Sequence, residues 1–370
     1  MEKRISMFKP YVNENAIELV TEVLRSGWIG EGPKVKQFEK ALCQRFGFKY
    51  ALALNSGTAG IRLALALAGV GPGDEIITTP QTCTATNMAI LEQFAEPVFA
   101  DIQYYTGNID PWDIEKRITE KTKAIICVHW AGYPCDMDEI HTVAGKYDLP
   151  VIEDGAHALG AVYRGSPIGT LSPFTMFSFQ AIKQLTTGDG GLLTLLDEDL
   201  YNEGRRRRWF GIDRDNRRVR QEDGYAVWDQ SEVGYKMQIN DIAAAIGLGN
   251  MDDIDRLLED RHRMALDYYE KLHSVPGVTL FERAADRQSG DWLFTIHVER
   301  RGDFRRMMDD KGIDTGVAHI RNDVHPVFGG RRDDLPVTDR YEKTHISIPL
   351  HNLMTYEDEC RVIEAIKGGW

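Results

Sequence analysis

Lys183 sits between two apolar runs, and its chemistry follows from that setting. Phe177-Ser178-Phe179-Gln180-Ala181-Ile182 leads into it, and Thr186-Thr187-Gly188-Asp189-Gly190-Gly191 turns the chain into Leu192-Leu193-Thr194-Leu195-Leu196. A lysine held between two buried strands loses solvation, which disfavours its charged form. A neutral amine beside a rigid turn is what Schiff-base chemistry with an aldehyde requires. The plain alternative is a lysine that snorkels from a strand end. Asp154 closes a second apolar run, Pro150-Val151-Ile152-Glu153-Asp154, with His157 three residues on. Open α/β sheets gather ligands at the carboxyl ends of their strands, although an aspartate there also serves as a helix N-cap. A third stretch, Asn55-Ser56-Gly57-Thr58-Ala59-Gly60, lies between a short strand and an apolar helix. Unpaired N–H groups and the helix dipole make such a turn an anion cradle.

Taken in order, these stretches resemble the motifs of the pyridoxal-phosphate (PLP) sugar aminotransferases of the DegT/DnrJ/EryC1/StrS family. The lysine stretch follows the family pattern Ser-Phe-aromatic-x-x-Lys, a spacer, then acidic-Gly-Gly, with Gln180 where many relatives have His or Tyr. The resemblance makes Lys183 the catalytic Schiff-base lysine, and its presence favours transamination. It makes Asp154 the acceptor for a protonated pyridine nitrogen, and sets His157 at the ring's phenolic oxygen or its face. It gives the cofactor phosphate to Gly57, Thr58, Ala59 and Ser178. It places Cys83 over one face of the ring, where relatives carry an aromatic residue. Gly234-Tyr235-Lys236 matches a segment whose last residue reaches the phosphate of the neighbouring subunit, which implies a homodimer with shared active sites. The loop holding Trp28, and His319 with His325, correspond to substrate-side segments. The implied reaction moves an amino group from L-glutamate to a keto sugar, often a sugar nucleotide, with PLP alternating with its amine form (PMP). A dehydratase or isomerase on the same scaffold, and a non-catalytic regulatory member, are the other readings. No metal ligand set is expected, because His129 and Cys135 have no third partner at regular spacing.

The elements that must position these residues read as an α/β protein. The resemblance implies PLP-dependent transferase fold type I, with a mixed, mostly parallel sheet in a large domain (1–250) and a small C-terminal α+β domain (251–370). Apolar strands are expected at 50–54, 75–79, 97–102 and 124–128, and antiparallel ones at 278–281 and 292–298. Helices are expected at 11–25, with Ile17, Val20 and Leu24 on one face, at 34–46, with Val35, Phe38, Leu42 and Phe46 inward, and at 251–273. The glycines of Gly69-Val70-Gly71-Pro72-Gly73-Asp74 precede a strand rather than a helix, so they are a connection and not a dinucleotide fingerprint. Arg205 to Arg214 is locally basic, which reads as a solvated face, or secondarily as a diphosphate contact.

The chain has 370 residues, 42% hydrophobic and 27% charged, enough for a sizeable core. A net charge of -13 disfavours nucleic acid as a partner. Five scattered cysteines without a Cys-x-x-Cys pair suit a reducing cytoplasm. No apolar run approaches a membrane span, and no export signal is expected.

Overall fold

The computed structural model describes residues 3–213, 218–219, 224, 226–227, 230 and 232–370; Arg214, the end of the basic run, lies outside them. Seven strands make the central sheet: β1 (Tyr50–Leu54), β2 (Glu75–Thr78), β3 (Glu96–Phe99), β4 (Thr122–Val128), β5 (Val151–Asp154), β6 (Phe174–Ser178) and β7 (Gly191–Leu195). Their spatial order is β1-β7-β6-β5-β4-β2-β3. Only β7 runs against its neighbours; the other pairings are parallel. The sheet is therefore mixed and mostly parallel, as expected.

Side chains alternate across a strand, so β1 sends Ala51 and Ala53 into one core cluster and Leu52 and Leu54 into the other. Burial on both faces is why these strands are nearly continuous apolar runs. The helix Gly57–Leu67 covers one face and the helix Pro33–Phe46 the other. Val35, Phe38, Leu42 and Phe46 are all buried, as their spacing predicts. Because β1 and β6 both oppose β7, the ends of β1, β5 and β6 fall on one edge of the sheet, which brings together the turn at Ser56, Asp154 and the loop carrying Lys183.

β1 is an edge strand, and its outward peptide groups at Ala53 are covered. Ala53 N–H donates to Glu39 Oε1 at 2.9 Å, and Ala53 C=O accepts from Arg208 at 3.0 Å. Arg208 also pairs with Glu39 and Glu31 at 2.6 and 2.8 Å. The basic run is thus not a plain solvated face. Arg208 is buried, and Arg206 and Arg207 both bind Glu232.

Two helices depart from expectation. The first spans Glu14–Ser26, capped by the Asn13 side chain and ended by Gly27 in the left-handed region (φ 75°). It buries Ala16 and Val23, while Ile17 and Leu24 are each 56% exposed. Small residues set this contact: a Cβ at Gly249 would lie 2.3 Å from Ala16 N, so the facing helix Asp241–Met251 approaches backbone to backbone. The expected 251–273 helix instead begins at Ile254, after a break at Asp252 and Asp253, where Asp253 accepts from the Tyr11 hydroxyl at 2.5 Å. A second, antiparallel sheet of β8 (Val278–Leu280), β9 (Phe294–Val298) and β10 (His345–Ile348) has its own core of Phe294, Ile296, Ile346, Ile348 and Tyr268, which Ile5 joins.

Candidate active site

Lys183 lies in the irregular segment between β6 and β7, and hydrogen bonds fix that segment. Lys183 N–H donates to Gln180 C=O at 2.9 Å, and Gln180 Oε1 accepts from Ile182 N–H at 3.1 Å. Gln180, one of the two departures from the family pattern, thus pins the backbone leading into the lysine. Buried Gln184 donates to the His157 and Gly290 carbonyls at 2.6 and 3.0 Å. The Lys183 amine stands 3.5 Å from the Trp292 ring centroid, and Trp292 Nε1 donates to Ile182 C=O at 3.0 Å. Burial pulls Lys183 from its ordinary 10.5 down to about 7, with Asp154 and Cys83 opposing.

A cavity of about 380 Å³ opens at this edge of the sheet. Lys183, Asp154, His157, Cys83, Gly57, Thr58, Ser178 and His319 all line it. Asp154 ends β5 in a turn and starts no helix: its Oδ1 accepts from Ala156 N–H at 3.0 Å and its Oδ2 from Thr86 Oγ1 at 2.7 Å. Burial raises its pKa, and these two bonds and the charge of Lys183 oppose the rise. The His157 ring stacks on Trp292 at 3.7 Å, leaving Nδ1 buried with no partner. The His319 ring lies nearly parallel to it at 5.9 Å, with Nε2 likewise unpartnered. Burial, with the charge of Lys183, holds His157 well below its ordinary range and His319 at about 4.

The cradle forms as the turn suggests. Ser56 caps the helix Gly57–Leu67 by accepting from Ala59 N–H at 3.1 Å. That leaves the N–H groups of Gly57 and Thr58, which have no carbonyl partner within the helix, at the cavity. Ala59 itself is absent from the wall, because its N–H serves the cap. Glycine is needed at 57: a Cβ there would stand 2.9 Å from Met176 Sδ and 3.2 Å from Ser178 Cβ. Cys83, the other departure, sits just before the helix Thr84–Leu91.

Three expected residues lie elsewhere within the chain. Lys236 has its amine 4.0 Å over the Trp209 ring, in a neighbouring hollow shared with Trp28 and Gln238. Trp28 is 60% exposed there. His325 packs near Phe328, off the cavity wall. Sequence reasoning missed Trp292 and Thr86. Trp292 stood at the head of an apolar run read only as a strand, and no local pattern distinguishes Thr86 from the threonines around it.

Comparison with known proteins identifies the family of the chain. The model of the DegT/DnrJ/EryC1/StrS aminotransferase family matches residues 10–367. The chain is 38% identical to the spore coat polysaccharide biosynthesis protein SpsC of Bacillus subtilis over 97% of this chain and 95% of that protein. It is 35% identical to a UDP-4-amino-4-deoxy-L-arabinose--oxoglutarate aminotransferase of Shewanella sediminis over 98% of this chain and 97% of that one. Among solved structures, sugar aminotransferase CalS13 of Micromonospora echinospora superposes with a TM-score of 0.94 at 38% identity, covering 99% of this chain and all of that one. A putative sugar aminotransferase of Streptococcus pneumoniae, solved in its PLP form, reaches 0.91 at 31% identity over 99% and 98% of the two chains; its PMP form is also solved.

The residues present suit that cofactor. The helix N-terminus offers N–H groups to a phosphate, Asp154 offers a carboxylate, His157 Nδ1 lacks a partner, and Lys183 has an amine of lowered basicity at the same cavity. No helix among the described residues is long and apolar enough to cross a membrane. The chain is therefore a PLP-dependent aminotransferase of fold type I and belongs to the DegT/DnrJ/EryC1/StrS aminotransferase family.

Proposed function

We propose that the enzyme transfers an amino group from L-glutamate to the carbonyl of a keto sugar.

 The proposed acceptor is a sugar nucleotide, and the product an amino sugar. The observation that carries this reading is the Lys183 amine, lowered to about 7 at a cavity it shares with Asp154. Bound PLP supplies an electron sink for the carbon that loses its proton. Lys183 Nζ takes the proton from the donor's α-carbon and later returns one to the acceptor carbon, a task suited to an amine whose basicity lies near the working pH. Asp154 would hold a proton on the pyridine nitrogen. Gly57, Thr58 and Ser178 would hold the phosphate, His157 Nδ1 would meet the phenolic oxygen, and Cys83 would pack on the ring face. His319 faces the substrate.

We also propose a homodimer. Among the described residues, Lys183 is the only lysine or arginine lining the cavity, which is compatible with a further cation supplied to the phosphate by a partner. Lys236 is the family's candidate, delivered by a partner together with Trp28. Exposed apolar residues Ile17, Leu24 and Ile29 on the same stretch as Trp28 support a covered surface. The five free cysteines fit the reducing cytoplasm expected from the sequence.

The test is the absorbance spectrum of the purified holoenzyme before and after L-glutamate. The expected result is a near-visible band that gives way to one at shorter wavelength. A band indifferent to glutamate would overturn the donor assignment, and amino-sugar formation from a panel of keto sugar nucleotides decides the acceptor.

A further inference from the structure

Behind Asp154 lies a chain of hydroxyls whose direction is fixed by proton counting. Thr86 Oγ1 is 2.7 Å from Asp154 Oδ2, and Thr82 Oγ1 is 2.8 Å from Thr86 Oγ1. All three residues are buried. An ionised carboxylate only accepts, and a threonine hydroxyl has one proton. Thr86 must therefore spend its proton on Asp154, and Thr82 must spend its own on Thr86.

The far end of this chain is anchored. Asn322 Nδ2 donates to Thr82 C=O at 2.7 Å, and Asn322 N–H donates to Pro80 C=O at 2.7 Å. Asn87 Nδ2 donates to Asn322 Oδ1 at 2.8 Å, and Thr78 Oγ1 donates to Asn87 Oδ1 at 2.7 Å. Asn322 lies three residues after His319. One buried polar network therefore joins the Asp154 side of the cavity to the segment that carries His319.

We propose that Thr86 is a positioning residue for the cofactor: oriented by Thr82, it locks one oxygen of Asp154 so that the remaining lone pairs point at the ring nitrogen. The proposal rests on the reading of Asp154 as the partner of that nitrogen. The Ala156 N–H bond fixes the other oxygen, so the carboxylate is held at both ends and resists rotation. Thr86 also opposes the rise that burial imposes on the carboxylate's pKa, since a donor to the charged form favours ionisation. Lys183 and His129 contribute positive charge toward Asp154, and Glu153, Cys127 and His157 are its other titratable neighbours. None of them offers the directed bond that Thr86 makes.

The experiment compares holoenzymes carrying Thr86→Val, Thr86→Ser, Thr82→Val and Asp154→Asn. PLP affinity is measured by titrating the cofactor-free protein, together with kcat and KM for the glutamate half-reaction and the pH dependence of the bound cofactor's absorbance. Thr86→Val keeps the shape and removes the hydroxyl. It is expected to lower kcat about tenfold or more, the scale of a lost hydrogen bond to a charged group, with KM little changed. Its acid limb should move to higher pH, because the carboxylate takes up a proton more readily. Thr86→Ser should restore wild-type behaviour, and Thr82→Val should shift the same quantities less. If Asp154→Asn is impaired while Thr86→Val matches wild type in affinity, kcat and pH profile, the positioning role is overturned and the reading of Asp154 survives. If Asp154→Asn also matches wild type, the underlying reading falls instead. Should Thr86→Val fail to fold, Thr82→Val decides, because it leaves the Asp154 contact in place and breaks only the orientation.

Discussion

Lys183 costs the cofactor-free protein stability, and the sign of that cost is testable. Its folded pKa is about 7 against an ordinary 10.5, so between these values the unfolded chain binds a proton that the folded chain lacks. The penalty is full at and below pH 7 and fades as pH rises towards 10.5. Replacing Lys183 with Met should therefore stabilise the cofactor-free protein at pH 7, on the order of 1–2 kcal/mol because the amine opens onto the cavity. Denaturant unfolding should show the gain shrinking by pH 10. A second expectation concerns turnover: Lys183→Ala should abolish it together with the near-visible band, and surviving turnover would remove Lys183 as the base. Lys183, Asp154 and the Ser56 turn were legible in the sequence because glycines, small hydroxyls and strand ends punctuate each of them locally. Trp292 and Thr86 were not, because their roles depend on partners distant in sequence. Thr86 meets Asp154 across 68 residues, and Trp292 meets Ile182 across 110.

The elements are held at the site by glycines that admit backbone against backbone. A Cβ at Gly191, the first residue of β7, would lie 2.5 Å from both the carbonyl carbon and oxygen of Ser56. Gly191→Ala should therefore push the phosphate turn off β7. A loss of about 2–3 kcal/mol is expected from such overpacking, along with weaker PLP binding, both read by thermal unfolding with and without cofactor. Ser56→Ala removes the cap alone and should cost about 1 kcal/mol. Strands buried on both faces were legible as apolar runs. The first helix was legible as a helix but not in its facing. Its contact uses Ala16 against Gly249, and a pattern search weighted by large apolar residues points instead to Ile17 and Leu24.

At the scale of the whole molecule, the shared-site proposal makes a prediction that no single chain can satisfy. Lys183→Ala and Lys236→Ala variants should each be nearly inactive. Mixed and reassembled, they should regain about a quarter of wild-type activity, since half of randomly formed dimers are mixed and each has one intact site. No recovery would mean that Lys236 serves its own chain or no site. The strands of both sheets were legible as apolar runs, whereas the mixed order of the large sheet was an implication of the family resemblance. The place of Ile5 in the second core was not, because a single residue near the chain's start carries no periodicity. The cover over β1 has a consequence for the fate of the protein at high concentration. An open strand edge is a growth point for aggregates, and Glu39 and Arg208 occupy that of Ala53 with side chains the edge itself does not supply. Loss of Glu39 would leave an apolar strand able to recruit a second chain during synthesis, so the first sign of damage there should be insoluble protein rather than a slower enzyme.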